Sequence, residues 1–139
     1  MKLRLAVIVG PTACGKTWLG VRVAHRLGSE IVSADSRQVY RGLDIGTGKD
    51  LEEYARVDPP VPYHLIDVAD VREIYSLYHY QRDCYALMQE LARRPPFADG
   101  KGPVLLVGGS GLYVEAVLRE YRIADVPEDA ALRERLMQE

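Results

Sequence analysis

The sequence has little cysteine, no long apolar run and no excess of positive charge. Its 139 residues include 2 cysteines, Cys14 and Cys84, which are too few for a disulfide framework and fit a reducing cytoplasm. No stretch approaches the roughly 18 consecutive apolar residues that cross a bilayer, so we expect no membrane partner. Lysine and arginine total 18 against 20 acidic residues. Because small nucleic-acid-binding domains are usually basic, any such role has to explain the net charge of −2.

What is present is the composition of an ordinary globular domain, with 47% hydrophobic and 27% charged residues. This composition excludes disordered, collagen-like and coiled-coil proteins. Short apolar runs alternate with amphipathic stretches, which is typical of an α/β fold with a mostly parallel sheet. The pattern predicts strands over residues 3–9, 30–34, 63–68 and 103–107, and helices over residues 17–27, 50–56, 76–93 and 112–119, followed by a charged, helix-prone tail.

The sharpest signal is the segment GPTACGKT at residues 10–17, which matches the phosphate-binding pattern G-x-x-x-x-G-K-S/T and is called the P-loop below. It follows an apolar strand and opens a helix, as the pattern requires. Its glycines let backbone N–H groups curl around an anion, Lys16 adds a point charge, and the Thr17 hydroxyl can hold Mg²⁺. ATP, GTP or a prenyl diphosphate would fit such a loop equally well. The predicted phosphate-binding residues are Gly10, Pro11, Thr12, Ala13, Cys14, Gly15, Lys16 and Thr17.

Two aspartates, Asp35 and Asp67, follow apolar segments as the metal-holding aspartate of a P-loop enzyme does. For Asp67, a plain turn-capping role is an equal alternative. Asp35 leaves the carboxyl end of the second predicted strand, which is the sheet edge that also carries the P-loop. A carboxylate there can accept a proton from a nucleophile held against a phosphate-bearing group. It is followed by side chains able to hydrogen-bond a planar base, namely Ser36, Arg37 and Gln38.

Four blocks in this order resemble the tRNA dimethylallyltransferases, also called tRNA isopentenyltransferases. They are the P-loop, SADSRQVYRGLDIGTGK at 33–49, YHLID at 63–67 and GGSGLY at 108–113. The resemblance implies a P-loop NTPase-like three-layer α/β fold. It also implies a tRNA-modifying enzyme, which moves a dimethylallyl group from dimethylallyl diphosphate to the exocyclic amine of an adenosine beside the anticodon. We expect a cytoplasmic monomer that uses Mg²⁺.

The resemblance also implies roles for individual residues. The P-loop would hold the diphosphate, with Lys16 and a Thr17-bound Mg²⁺ neutralising its developing charge. Asp35 would be the general base for the adenine amine. Asp35, Ser36, Arg37, Gln38 and Ser110 would contact the target nucleotide, which has to be flipped out of its stack. Residues 1–121 would form the prenyltransferase core, and residues 122–139 a charged helical tail at the start of a C-terminal region outside this chain.

The chain departs from the family pattern in a few places. Cys14 stands where a small serine is common, and we favour a buried space-filling role for it over an oxidation-sensitive one. Gly48 replaces a more frequent alanine, and Ser110 replaces a threonine while keeping the hydroxyl. The chain also ends before the family's downstream segments, which grip the anticodon stem and help to bind the diphosphate.

Three other functions stay open at this stage. They are an enzyme that prenylates free adenine nucleotides, a small-molecule P-loop kinase, and a truncated P-loop protein without catalytic activity. Outside the site, we predict a structural hydrogen-bonding role for His64 and simple aromatic packing for the tyrosines of residues 75–85.

Overall fold

The chain alternates strands with helices, as its apolar runs predict. A computed structural model describes residues 3–138, in which no helix is long and apolar enough to cross a membrane. The described elements in chain order are β1 (Arg4–Val9), α1 (Lys16–Leu27), β2 (Ile31–Ser33), α2 (Leu51–Ala55), β3 (Tyr63–His64), α3 (Leu77–Leu91), β4 (Pro103–Gly108), α4 (Gly111–Leu118) and α5 (Ala130–Met137).

The four strands form one sheet in the order β1-β4-β2-β3, and every neighbouring pair is parallel. The last strand in the chain therefore lies between the first two. Leu105 of β4 is in register with Ala6 of β1 on one side and with Ile31 of β2 on the other. Because carboxyl ends of parallel strands meet at one edge, the loop after β4 lies between the P-loop and Asp35.

Helices cover both faces of this sheet, which confirms the predicted three-layer fold. Successive residues of β4 alternate between the faces, as pleating requires. Val104 and Leu106 pack in a core with residues of α3 and α4, whereas Leu105 and Val107 pack with residues of α1 and α2. On the α3 side, Tyr80 is fully buried and stacks on Tyr113 with ring centroids 3.9 Å apart. The packing role predicted for the tyrosines is confirmed for Tyr80.

The third strand is shorter than the predicted run of residues 63–68. Only Tyr63–His64 pair with β2, because Leu65 and Asp67 have φ angles of 60° and 57°, outside the strand region. The chain instead bonds to the segment after β2, with Val68 N–H donating to Val39 O at 2.8 Å. The helix-prone tail contains α5, whose eight residues are all exposed. Its last predicted residue, Glu139, lies outside the described residues.

His64 has the structural role that the sequence predicts. Its Nε2 lies 2.6 Å from the buried carboxylate of Glu30, and the guanidinium of Arg94 contacts the same carboxylate at 2.9 Å. Glu30 precedes β2, so this cluster lies at the amino edge of the sheet. The P-loop follows β1 at the opposite edge, and His64 is therefore remote from it.

Candidate active site

The P-loop is shaped by two left-handed backbone positions and by the start of α1. Ala13 and Gly15 have φ angles of 59° and 86°, which curl the loop before the helix begins at Lys16. Gly15 is the N-cap residue and carries no side chain, and the first turn of α1 contains no acidic residue. The N–H groups of that turn therefore keep their positive potential for an anion. The Lys16 ammonium already lies over the loop, where it donates to Pro11 O.

Two glycines at the end of β4 bring three segments together. An added Cβ on Gly108 would lie 2.1 Å from Ala34 O, so no side chain fits between β4 and the end of β2. A Cβ on Gly109 would lie 3.3 Å from Gly10 O and 3.7 Å from Lys16 Nζ. Gly108 and Gly109 therefore lie between the P-loop on one side and the residues after β2 on the other.

Asp35 begins the segment after β2 and is half-buried. Its Oδ1 accepts the Arg37 N–H at 2.9 Å, which orients the carboxylate. The next residue, Ser36, donates its N–H to Ser110 Oγ at 2.9 Å, and Ser110 N–H donates to Ala34 O at 3.1 Å. Ser110 thus fastens the loop after β4 to the segment that carries the carboxylate.

A cavity of about 900 Å³ opens at this edge of the sheet. It brings together Asp35, Gln38 and the P-loop residues from Thr12 to Thr17, with Gly108 and Gly109 on the wall between them. Three of the predicted base-contacting residues, Ser36, Arg37 and Ser110, do not line it. The connection between β2 and α2, residues 34–50, is called the long loop below. The far wall of the cavity comes from Asp44 and residues 46–50 of this loop and from residues of α2.

The long loop is held by an internal network that sequence reasoning missed. Gln38, predicted to contact adenine, donates its amide to Gly48 O at 2.9 Å and to Thr47 O at 3.2 Å. Its carbonyl accepts the hydroxyl of Ser33 at 3.0 Å. In this geometry the Gln38 amide fastens the two ends of the loop to each other. In the sequence, only the length of the segment between the second predicted strand and the next predicted helix indicates a functional loop, and length alone does not show which contacts hold the loop in shape.

Lys49 closes the same loop from the other end. Its side chain is 4% exposed, and its ammonium donates to Tyr40 O at 2.8 Å, Asp44 Oδ1 at 2.9 Å and Asp67 Oδ1 at 2.5 Å. Burial acts to lower the pKa of Lys49, but the hydrogen bonds to Asp67 and Asp44 outweigh it and raise the pKa above its usual value. Asp67 does not line the cavity, which favours the structural alternative for this aspartate over a metal-binding role.

An indole that the sequence did not single out also lines the cavity. Trp18 on α1 is half exposed, and the guanidinium of Arg22 lies 4.1 Å from its ring centroid. Arg22 also bonds Glu53 of α2 at 3.2 Å, which joins the two helices beside the cavity. The sequence alone does not show whether a single tryptophan in a helix lines a cavity or lies on the ordinary protein surface.

Cys14 is exposed, so the expectation of a buried space-filler is wrong. The P-loop turns around the anion position, and its middle residues face the cavity rather than the protein interior. The Cys14 sulfur lies 3.8 Å from Lys16 Nζ. Cys84 on α3 is the buried cysteine, and burial raises the pKa of its thiol to about 12.

The donor set of the cavity fits a magnesium ion that binds together with a phosphate group. Thr17 supplies a hydroxyl at the start of α1, next to the loop residues that line the cavity. Among residues 3–138, no three His, Cys, Asp or Glu side chains are grouped to hold a metal. Mg²⁺ does not need such a group, because it usually keeps several waters and takes its other ligands from one or two protein oxygens and the substrate phosphates.

Comparison with known proteins shows the family to which the chain belongs. The IPP transferase family model matches residues 38–139, and the isopentenyl transferase model matches residues 3–57. The chain belongs to the IPP transferase family. Among curated relatives, it is 52% identical to tRNA dimethylallyltransferase 1 of Syntrophus aciditrophicus over 139 residues, which are 100% of this chain and 44% of the relative. It is 49% identical to tRNA dimethylallyltransferase 1 of Porphyromonas gingivalis, over 95% of this chain and 42% of the relative.

Solved structures of the family have the same fold. The full-length tRNA isopentenylpyrophosphate transferase from Bacillus halodurans superposes with a TM-score of 0.75 at 41% identity, over 99% of this chain and 42% of that one. The P-loop α/β fold expected from the sequence is therefore confirmed. The chain spans well under half the length of these family members.

Proposed function

We propose that this protein takes part in prenylating tRNA, by transfer of a dimethylallyl group from dimethylallyl diphosphate to an adenosine beside the anticodon. The observation that carries the proposal is the single cavity in which an anion-binding P-loop and the Asp35 carboxylate lie on either side of Gly108 and Gly109. The relatives named tRNA dimethylallyltransferase support both the donor and the acceptor.

The P-loop is the site for the diphosphate. Backbone N–H groups of Ala13 to Thr17 surround the anion, and the start of α1 adds its positive potential. Lys16 exchanges the neutral carbonyl of Pro11 for a phosphate oxygen. Thr17 is the residue that would hold Mg²⁺, which supplies charge neutralisation for the departing diphosphate. These charges favour the transition state because negative charge on the diphosphate grows as its bond to carbon breaks.

Asp35 is the base for the acceptor. The adenine amine attacks the first carbon of the dimethylallyl group, the carbon–oxygen bond breaks, and diphosphate leaves with the electron pair. The amine proton passes to the Asp35 carboxylate, which the Arg37 N–H holds in orientation. Since the carboxylate lies within a cavity, the adenine has to leave its base stack to reach it.

A transfer assay with radiolabelled dimethylallyl diphosphate, Mg²⁺ and either unmodified tRNA or AMP tests this function. We expect label in tRNA and none in AMP. Asp35→Asn should lower the transfer rate by about 100-fold or more, the usual contribution of a general base, while leaving the affinity for inorganic diphosphate unchanged. Asp99→Asn changes an exposed aspartate in the loop before β4 and serves as the matched control.

The results separate this function from its alternatives. Label in AMP but not in tRNA would identify an enzyme of free nucleotides. ATP consumption without a prenyl acceptor would identify a kinase. Equal transfer rates for Asp35→Asn and the unaltered protein would show that Asp35 is not the base.

A further inference from the structure

The long loop presents an apolar tip to solvent. Ile45 is 97% exposed, and Leu43, two residues earlier, is 43% exposed. An isoleucine exposed to this extent gains nothing for folding, because its side chain buries almost no apolar surface. Two apolar side chains close together in the chain therefore face solvent at this tip.

The segment that carries Ile45, residues 42–48, is braced from within. The Thr47 hydroxyl donates to Leu43 O at 2.6 Å across the base of the tip. Gln38 ties the carbonyls of Thr47 and Gly48, and Lys49 holds the Asp44 carboxylate at 2.9 Å. Ile45 is therefore displayed on a backbone whose conformation is already set, so that a partner does not have to order this segment on binding.

The tip adjoins the cavity of the proposed active site. Asp44, Gly46 and Thr47, on either side of Ile45, all line the cavity that contains Asp35. An RNA whose adenosine enters this cavity has to pass its neighbouring nucleotides across the same rim. Arg37 and Arg41, which precede this segment in the long loop, are exposed and supply positive charge that can contact a phosphate backbone.

We propose that Ile45 is a wedge that inserts into the base stack of the acceptor RNA at the position left by the flipped adenosine. This inference rests on the proposed function. Unstacking a base costs free energy, and proteins that distort nucleic acids often offset it by inserting an apolar side chain between bases. An exposed, braced isoleucine beside the cavity has the chemistry for that role. Arg37 and Arg41 hold the strand, and Ile45 stabilises its opened form.

Fluorescence of an anticodon stem-loop RNA with 2-aminopurine next to the target adenosine tests the wedge in the intact protein. We expect the unaltered protein to raise the fluorescence, because 2-aminopurine brightens when it unstacks. Ile45→Ala should remove most of this rise and lower kcat/KM for the RNA about tenfold, as expected for losing much of one buried side chain. Ile45→Leu should restore both. The affinity for inorganic diphosphate should stay the same in all three proteins.

Leu27→Ala is the location control, since Leu27 is a half-exposed leucine at the opposite end of α1 from the P-loop. It should match the unaltered protein in both measurements. No fluorescence rise with the unaltered protein, or equal rises and equal kcat/KM for Ile45→Ala, would overturn the wedge. Those outcomes differ from a failure of the proposed function, which would appear as an absence of label transfer to tRNA by the unaltered protein.

Discussion

Gly108 determines how closely the ends of β2 and β4 approach each other. Any Cβ there would lie 2.1 Å from Ala34 O, far inside van der Waals contact with backbone that cannot rotate away. Gly108→Ala should therefore lower the free energy of unfolding by about 3 kcal/mol, the upper range for overpacking, as measured by urea denaturation. The same change should also lower the rate of dimethylallyl transfer, because it moves Asp35 away from the P-loop.

Gly111→Ala is the matched control for this substitution. Gly111 begins α4, and an added Cβ there meets nothing within 4 Å. We expect its free energy of unfolding to stay the same or to rise slightly, because alanine favours the helix more than glycine does. Equal stability of the two variants would contradict the close approach of β2 and β4.

The two cysteines should differ sharply in reactivity. Cys14 is exposed in the P-loop, whereas Cys84 is buried and its thiol pKa is raised to about 12 by that burial. Iodoacetamide should alkylate Cys14 alone in the folded protein, as read by intact-mass and peptide mass spectrometry. Inorganic diphosphate should slow this reaction, since the anion would occupy the loop that carries the sulfur. Alkylation at an unchanged rate under saturating diphosphate would argue against anion binding at the P-loop.

At the scale of elements, the segment between β2 and α2 depends on Lys49. Its buried ammonium joins Asp44, Asp67 and the Tyr40 carbonyl, so its removal leaves two carboxylates close together without their cation. Lys49→Ala should lower the free energy of unfolding by about 1.5 kcal/mol, the contribution of hydrogen bonds to a charged group, because the Asp44 and Asp67 carboxylates left behind are 71% and 34% exposed and stay hydrated. Limited proteolysis should then cut within residues 41–49.

Lys101→Ala provides the comparison, because Lys101 is 79% exposed and lies 3.6 Å from Asp99 in a surface pair. Surface ion pairs contribute little to stability. The Lys101→Ala variant should therefore have the same free energy of unfolding as the unaltered protein and should be cut by the protease at the same rate. Cleavage of Lys49→Ala at the unaltered rate would show that the loop is held by Gln38 and its glycines instead.

Apolar periodicity predicts the elements that bury a continuous face and fails where tertiary contacts override it. The strand over 103–107 and the helix over 76–93 appear as β4 and α3 within a few residues. Residues 63–68 have the same apolar character, yet Leu65 and Asp67 turn into the left-handed region so that Val68 can bond Val39. That turn is stabilised by contacts with residues nearly thirty positions away in the chain. The local apolar pattern of residues 63–68 contains no information about these contacts.

At the scale of the whole molecule, the site exists because β4 lies between β1 and β2. Motifs predict the P-loop and Asp35 separately, and both line the cavity. The sequence order of the strands does not show that Gly108 and Gly109 stand between them, because insertion of a late strand is decided by packing across the sheet. For the same reason the role of Gln38 in bracing the loop was not predictable, since amide geometry depends on where residues 47 and 48 return.

The free energy of unfolding should decrease at alkaline pH, because the core between the sheet and helices α3 and α4 contains buried groups that lose protons at high pH. Burial raises the pKa of the Cys84 thiol from 9.0 to about 12, and burial also raises that of Tyr113 from 10.0 to about 12. The unfolded chain releases these protons at lower pH than the folded chain does. Their stabilising contribution is therefore complete below pH 9 and is lost progressively as the pH approaches 12.

Cys84→Ser isolates the contribution of the thiol, because serine has a similar size and does not titrate in this range. Between about pH 8 and about pH 10.5, the free energy of unfolding should fall by about 2 kcal/mol more in the unaltered protein than in Cys84→Ser. Urea denaturation at the two pH values measures the difference, and the Tyr113 contribution cancels because both proteins retain it. Parallel losses of stability would mean that the Cys84 thiol ionises in the folded protein as readily as in the unfolded chain, contrary to its burial against Tyr80.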